Sequence, residues 1–211
     1  METIIAELHN AKEYGSILNV TPQDFSALYA RVDEMQDEIS MFTQPVWTEL
    51  LPLLRVAEAL AQKYDTVCTN PPYMGASGMS GRLAQYVKDN YPDSKSDLFA
   101  VFIERCGQMA KKNGYQAMIT QHAWIFLSSF EKLRAKQLQF NMVNMTHLGA
   151  RAFEEIVGEV VQTTSFVLRN SSIKNYAGNY VRLTDYNSQQ AKESAFLSAD
   201  HRPLFTASQA N

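Results

Sequence analysis

The alternation of apolar and polar positions divides the chain into a helical first part and a second part in which strands and helices alternate. Up to residue 63, apolar residues recur at spacings of three and four, which is the period of an amphipathic helix. From residue 65 onward, short runs rich in β-branched residues are separated by stretches with the helical period. This order predicts an α/β protein with a mostly parallel sheet covered by helices on both faces.

Turn and capping residues place the individual elements. Thr21 followed by Pro22 predicts the start of an amphipathic helix that runs to Ile39. Asn113-Gly114 predicts a turn. The other predicted helices cover residues 1–14, 44–63 with an interruption at Pro52, 83–91, 97–111, 128–138 and 189–197. The predicted strands cover residues 66–69, 115–120, 141–148, 160–168 and 180–184.

Length and composition limit the possible classes of protein. A chain of 211 residues with 45% hydrophobic content can bury one substantial core and part of a second. Its longest apolar run, 98–103, is too short to cross a bilayer, and the amino terminus lacks the pattern of a signal peptide. We therefore expect a soluble protein of the cytoplasm that does not enter a membrane.

Charge and cysteine content add two expectations. Nineteen basic and twenty-two acidic side chains give a net charge of -3, which does not indicate a tightly nucleic-acid-binding surface. Cys68 and Cys106 are far apart in sequence and lack the paired spacing of a metal site. They are predicted to be reduced thiols in the core, and no metal is expected.

The most informative stretch is Asn70-Pro71-Pro72-Tyr73, which follows an apolar strand directly. Two consecutive prolines cannot continue a β-ladder or a helix, so the strand is predicted to end at Asn70. Each proline also holds the residue before it in an extended conformation. The stretch thus presents an amide, free carbonyls and an aromatic ring at the carboxyl end of a strand, where open α/β sheets bind ligands.

These residue types suit the recognition of a flat group that bears an amino nitrogen. The Asn70 side-chain oxygen and the Pro71 carbonyl can each accept one N–H bond, while the Tyr73 ring can stack on the plane of the group. Two acceptors on one amino group aim its lone pair outward and make it a better nucleophile toward a methyl donor. The simpler alternative is a rigid turn after a core strand.

Three further residues are candidates from their predicted positions. His122 and Trp124 stand just beyond the next strand, on the same edge of a parallel sheet, where they could contact substrate. A structural role is the alternative for His122, because it has no partner ligand nearby in sequence. Asp97 begins an apolar helix, so it can serve as a plain helix cap.

At these residues the sequence resembles a known family. Asn70 to Tyr73 resembles motif IV of amino-group methyltransferases that use S-adenosylmethionine, above all the DNA adenine-N6 enzymes. The chain is similar to the adenine-specific methyltransferases of BREX phage-exclusion systems and, more loosely, to type IIG restriction-modification enzymes. The resemblance covers residues 1–185 and rests on 70–75, 94–99, 114–124 and 148–168.

The resemblance implies a fold, a cofactor and roles for particular residues. The implied fold is a partial Rossmann-like S-adenosylmethionine-dependent methyltransferase fold, the catalytic half, behind a helical N-terminal segment. Phe153 would pack edge-on against an extruded adenine, with core packing as the alternative. Asp97, in the family's motif V, would contact the cofactor. The implied roles are catalysis for Asn70, Pro71, Pro72 and Tyr73, cofactor binding for Asp97 and Asn70, and substrate binding for Phe153.

The glycine-rich strand-to-helix turn that such an enzyme uses to bind its cofactor is not visible before Asp65. We therefore expect the chain to be an internal fragment that is inactive by itself. The expected division is a helical segment at 1–63, the catalytic half at 64–170, and the start of a target-recognition region or linker at 171–211.

The function expected from the resemblance is site-specific methylation of adenine N6 in double-stranded DNA, with base flipping, in a restriction-modification or phage-exclusion system. Other proteins of that defence system would be partners. Three alternatives remain open: methylation of a protein glutamine at N5, methylation of guanine in ribosomal RNA, and a non-catalytic DNA-binding module of methyltransferase fold. A glutamine carboxamide is also flat and bears an amino group, so the same turn would serve it.

Overall fold

The computed structural model describes residues 1–35, 40–41, 43–153, 161–198 and 204–208. The chain forms two compact units, Met1–Lys63 and Tyr64–Asn211. Across the residues described, no helix combines the length and the apolar character needed to span a membrane.

The first unit is helical, as the apolar spacing predicts. The Tyr29 hydroxyl of its third helix donates a 2.8 Å hydrogen bond to Glu58 of its fourth. Its buried apolar side chains recur at helical spacing, for example at Leu54 and Ala57. Its helices are α1 (Glu2–Leu8), α2 (Ala11–Tyr14), α3 (Phe25–Glu34) and α4 (Gln44–Ala61).

Three details of the first unit differ from the prediction. The helix expected over 1–14 is broken between α1 and α2, and α4 runs through Pro52 without ending. The N-cap of α3 is Asp24, whose Oδ1 accepts a 3.0 Å bond from the Ala27 N–H. Thr21 instead donates to the Glu7 carboxylate. The predicted end of this helix at Ile39 lies outside the described residues.

The second unit carries a six-stranded sheet in the order β1-β2-β4-β3-β5-β6. The predicted helix 189–197 is confirmed with the same bounds, whereas the last strand was not predicted. The helices are α5 (Gly81–Asn90), α6 (Leu98–Met109), α7 (Ala123–Phe126), α8 (Glu131–Gln137) and α9 (Gln189–Leu197). The strands are β1 (Tyr64–Thr69), β2 (Ala110–Gln121), β3 (Asn141–Gly149), β4 (Thr163–Arg169), β5 (Ala177–Arg182) and β6 (Leu204–Ser208).

The sheet is mixed rather than mostly parallel. β1 pairs with β2, and β3 pairs with β5, in parallel, whereas β4 runs antiparallel between β2 and β3, and β6 runs antiparallel to β5. The sequence pattern could not show this, because β4 is inserted between strands that precede it in the chain. The four strands β1, β2, β3 and β5 still run in one direction, so their carboxyl ends share one edge of the sheet.

The core of the second unit lies between this sheet and α6, which contacts β1 and β2. Phe99, Ile103 and Phe166 are almost completely buried there, and Val67 of β1 packs against the same cluster. Successive side chains of a strand point to opposite faces, so Cys68 lies on the other face and is exposed. The prediction of a buried thiol is therefore wrong for Cys68. It is confirmed for Cys106, whose burial raises its pKa to about 11.

Asn113-Gly114 is not a turn between a helix and a strand, because β2 continues through it from Ala110. The pairing register shifts there, since Tyr64 faces Ala110 while Thr66 faces Tyr115. Asn113 has a positive φ of 66°, which asparagine tolerates better than most residues. The turn signal at these residues therefore forms a bulge inside the strand.

Candidate active site

Asn70 follows the last residue of β1 and lies at the carboxyl edge of the sheet. Asn70 is exposed, whereas Pro71 is buried. Within the described parts of the chain, neither the Asn70 amide nor the Pro71 carbonyl takes part in a hydrogen bond. Both oxygens are therefore available to accept N–H bonds from a bound group.

Tyr73 is anchored by its ring rather than by its hydroxyl. The ring packs edge-to-face on Phe99 of α6, with centroids 6.1 Å apart and planes at 82°. The hydroxyl oxygen is buried and, among the residues described, has no hydrogen-bond partner. Burial raises the pKa of this hydroxyl, because it penalises the phenolate. Tyr73 as a residue is only partly buried, so part of it remains accessible to solvent.

Asp97 fixes the backbone that follows Tyr73. Its Oδ1 accepts hydrogen bonds from the Met74 N–H at 3.0 Å and from the Phe99 N–H at 3.2 Å, and it is the N-cap of α6. The two segments also pair through their main chains, with Gly75 opposite Asp97 in an antiparallel bridge. Burial raises the pKa of the Asp97 carboxyl, while the backbone N–H bonds act in the opposite direction. In this structure, the carboxylate contacts the loop that carries Tyr73.

His122 is not alone at the end of β2. Its Nδ1 lies 2.9 Å from Nε2 of His147, which is near the end of β3. The exposed ring of Phe126 contacts both imidazoles, at centroid distances of 5.3 and 6.0 Å. Burial lowers the pKa of both histidines, and the charge of His122 lowers that of His147 further. Sequence reasoning missed His147, because only the strand order places the ends of β2 and β3 on either side of β4 at the same edge.

Trp124 lies in the core and does not face the edge. Its side chain is 3% exposed, it packs edge-to-face on Phe166, and its indole N–H donates a 3.2 Å bond to the Thr120 hydroxyl. The expectation that Trp124 contacts substrate does not agree with this burial. Aromatic side chains after a strand can face either the core or the edge, and the sequence alone did not distinguish the two.

Phe153 follows β3, which lies on the opposite side of β4 from β1 and Asn70. β3 is three strands from β1, which corresponds to about 14 Å along the edge. Phe153 is partly buried, and in the region that the structure describes its ring makes no contact with Tyr73. The four residues from Ala150 to Phe153 span up to about 13 Å when extended, which is slightly less than this distance.

Residues 7–153 match the family of Eco57I restriction-modification methylases, which is more than half of the chain. The chain belongs to this methylase family. It is 51% identical over 170 residues to the adenine-specific methyltransferase PglX of Lacticaseibacillus casei (strain Zhang), a match that covers 81% of the chain. It is 41% identical over 194 residues to the adenine-specific methyltransferase BrxX of Escherichia coli O9:H4 (strain HS), covering 90% of the chain. The chain spans only 14% and 16% of these two relatives.

Solved structures show that this methylase chain has the restriction-modification methyltransferase fold. It superposes on the DrdV–DNA complex with a TM-score of 0.55 and 14% identity, over 72% of this chain and 18% of that one. A structure of a type I restriction-modification system gives a TM-score of 0.52 with 15% identity, over 72% of this chain and 36% of that one. The M protein of the type I enzyme EcoKI gives 0.50 with 12% identity, over 72% and 41%. The predicted partial Rossmann-like methyltransferase fold is confirmed.

Proposed function

We propose that this chain holds the amine-binding residues of a DNA adenine-N6 methyltransferase that acts in the bacterial cytoplasm, in a restriction-modification or phage-exclusion system. Family membership and the adenine-specific relatives support this proposal. The observation that carries it is the exposed amide of Asn70 at the carboxyl edge of the sheet, next in the chain to the Pro71 carbonyl; neither group is hydrogen-bonded to another of the described residues.

These two acceptors define what the site can do. Asn70 Oδ1 and the Pro71 carbonyl together take the two N–H bonds of one exocyclic amino group, which fixes the direction of its lone pair. Pro71 is buried and Pro72 restricts it to an extended conformation, so the carbonyl is held without further contacts. No basic side chain is needed, because the proton leaves the amine after the methyl group has been transferred.

The methyl donor implied by the family is S-adenosylmethionine, which supplies an electrophilic methyl group when it is bound. Asp97, the residue expected to hold it, accepts hydrogen bonds from two backbone N–H groups at Oδ1, and Asn70 is suited to the amine instead. Among the residues that the structure describes, no strand precedes β1, so no glycine-rich strand-to-helix turn comes before Asn70. The chain's own residues therefore fit the amine side of the reaction and do not form a complete donor site.

An adenine inside duplex DNA must leave the base stack to reach Asn70, and unstacking costs a few kcal/mol. The Tyr73 ring offsets part of this by stacking on the base. Phe153 is the proposed second wall of the pocket, and this role requires it to approach Tyr73 when the base is bound. The substrate is thus double-stranded DNA from which one adenine is extruded, and other proteins of the defence system are partners of the native protein.

The test is a long-read map of methylated bases in host DNA. Cells produce the native protein that carries this chain as wild type, Asn70→Ala or Tyr73→Ala. Asn144→Ala serves as the control, because Asn144 is an exposed asparagine on β3 away from the edge. We expect one adenine motif to lose its N6-methyl mark in both site variants, by at least about 100-fold, and to keep it in the control.

If every adenine mark persists in Asn70→Ala, the DNA adenine assignment is wrong. Mass spectrometry of the host proteins and ribosomal RNA then tests for a methylated glutamine or guanine that depends on Asn70.

A further inference from the structure

From the contacts of its carboxylate, we infer that Asp97 is a positioning residue that holds the Asn70–Tyr73 loop in its amine-binding conformation. This inference rests on the proposed function and assigns Asp97 a role different from cofactor binding. A single oxygen, Oδ1, accepts one N–H bond from Met74 and one from Phe99. Met74 directly follows Tyr73, and Phe99 is the residue on which the Tyr73 ring packs.

Asp97 therefore restrains Tyr73 in two ways. The bond to the Met74 N–H fixes the backbone just beyond the tyrosine, and the bond to the Phe99 N–H fixes the backbone of its packing partner. Since the Tyr73 hydroxyl has no partner among the described residues, the ring depends on these restraints for its orientation. Loss of the carboxylate leaves the ring on Phe99 but releases the Met74 N–H, directly after the tyrosine.

Main-chain hydrogen bonds also join the two segments, but they do not bind the Met74 N–H. The Leu98 N–H donates to the Met74 carbonyl at 2.9 Å, and the Ala76 N–H donates to the Ser96 carbonyl at 3.0 Å. Both bonds lie on the far side of Met74 from Asn70. Among the described residues, Met74 is the first residue after the two prolines whose N–H is hydrogen-bonded, since the prolines have no N–H groups. This bond to Asp97 is therefore the hydrogen bond nearest to the prolines at the downstream end of the loop.

A small displacement of this loop has a large kinetic effect, because an error of about 1 Å in the position of a reacting group lowers a rate by about 100-fold. Asp97 also caps α6, so the substitutions must distinguish its capping bond with the Phe99 N–H from its bond with the Met74 N–H. Asp97→Ser keeps a capping oxygen for the Phe99 N–H, but its side chain is one atom too short to reach the Met74 N–H as well. Asp97→Asn keeps an acceptor oxygen for both bonds and removes only the charge.

The experiment compares the native protein with its Asp97→Ser and Asp97→Asn variants. Asp24→Ser is the control, since Asp24 caps α3 through the Ala27 N–H and belongs to the first unit. Steady-state methylation of an oligonucleotide duplex gives kcat and the KM values for DNA and S-adenosylmethionine. Hydrogen exchange by mass spectrometry reports on the peptide that contains Met74.

We expect Asp97→Ser to lower kcat by at least about tenfold with both KM values within about threefold of wild type, and to speed exchange of the Met74 peptide. Asp97→Asn restores kcat to within about threefold of wild type and restores slow exchange, because a neutral oxygen still accepts both bonds. Asp24→Ser changes neither kcat nor exchange at Met74.

Two results overturn the inference. One is an unchanged kcat and unchanged Met74 exchange in Asp97→Ser. The other is a raised KM for S-adenosylmethionine in both Asp97 variants with normal exchange, which identifies a cofactor contact instead. If the wild-type protein methylates no DNA adenine, the proposed function fails. The exchange of Met74 in the Ser and Asn variants then still decides whether Asp97 clamps the loop.

Discussion

His122 and His147 share a hydrogen bond of 2.9 Å between Nδ1 of the first and Nε2 of the second, at the edge of the sheet where β2 and β3 end. Such a bond needs one N–H donor and one nitrogen lone pair, so at most one of the two rings can be charged while it persists. Burial disfavours the charged form of both, and Arg182 and Lys192 lower the pKa of His147 further.

This pair predicts that the free energy of unfolding of the 211-residue chain falls as the pH drops below about 6.5, the usual pKa of histidine. The pKa of each histidine is lowered in the folded state, so the unfolded state binds more protons between the unfolded and folded pKa values. Above the unfolded pKa both states are neutral and this contribution is constant. Urea unfolding at intervals between pH 5 and 8 measures the effect.

His122→Gln should make the loss of stability at low pH smaller, because it removes one titrating group and relieves the repulsion on the other. His9→Gln, in the first unit, is the matched control for replacing a histidine away from this pair. A pH profile that is the same in wild type and His122→Gln would contradict the prediction.

Tyr73→Phe should raise the free energy of unfolding by about 1 kcal/mol, because it removes a buried hydroxyl that has no partner among the described residues. The packing of the ring on Phe99 is kept. Tyr29→Phe is the control with the opposite sign: it removes a 2.8 Å bond to Glu58 and should lower stability by about 1 kcal/mol. Urea unfolding of both variants tests the pair, and destabilisation by Tyr73→Phe would show that the hydroxyl is bonded.

Trp124→Phe should lower the free energy of unfolding by about 1 to 3 kcal/mol while leaving DNA affinity unchanged. The change removes the bond from the indole N–H to Thr120 and leaves a gap beside Phe166. Stability is measured on the 211-residue chain, and duplex binding on the native protein by fluorescence anisotropy. Weaker DNA binding at unchanged stability would restore Trp124 as a substrate contact.

Gly114→Ala should lower the free energy of unfolding by about 1 to 3 kcal/mol. A Cβ at this bulge would lie 2.9 Å from the Asp65 carbonyl oxygen, 3.0 Å from that of Lys111 and 3.1 Å from that of Tyr64. All three atoms belong to the backbone, so relief requires a change in the pairing of β1 and β2. Gly81→Ala, where a Cβ meets nothing within 4 Å, should change stability by less than about 0.5 kcal/mol. Equal effects in the two variants would contradict the steric explanation.

The placement of Asn70 could be predicted from the sequence, because two prolines after an apolar strand allow few conformations. β1 ends at Thr69, and Asn70 stands beyond it at the carboxyl edge. The cap at Asp97 was also predicted, since an acidic residue before an apolar run is a strong start signal. The bond of this carboxylate with the Met74 N–H could not be predicted, because Met74 lies 23 residues earlier and no local pattern relates the two.

Most of the elements and the chemistry of the turn could be predicted from local patterns, because the period of apolar residues, the capping residues and the fixed φ of proline act within a few residues of chain. The insertion of β4 between β2 and β3, the contact of His122 with His147 and the burial of Trp124 became visible in the folded chain alone. These depend on which strands become neighbours and which face of each is covered. That choice follows from packing across the whole sheet, which cannot be read from any single stretch of sequence.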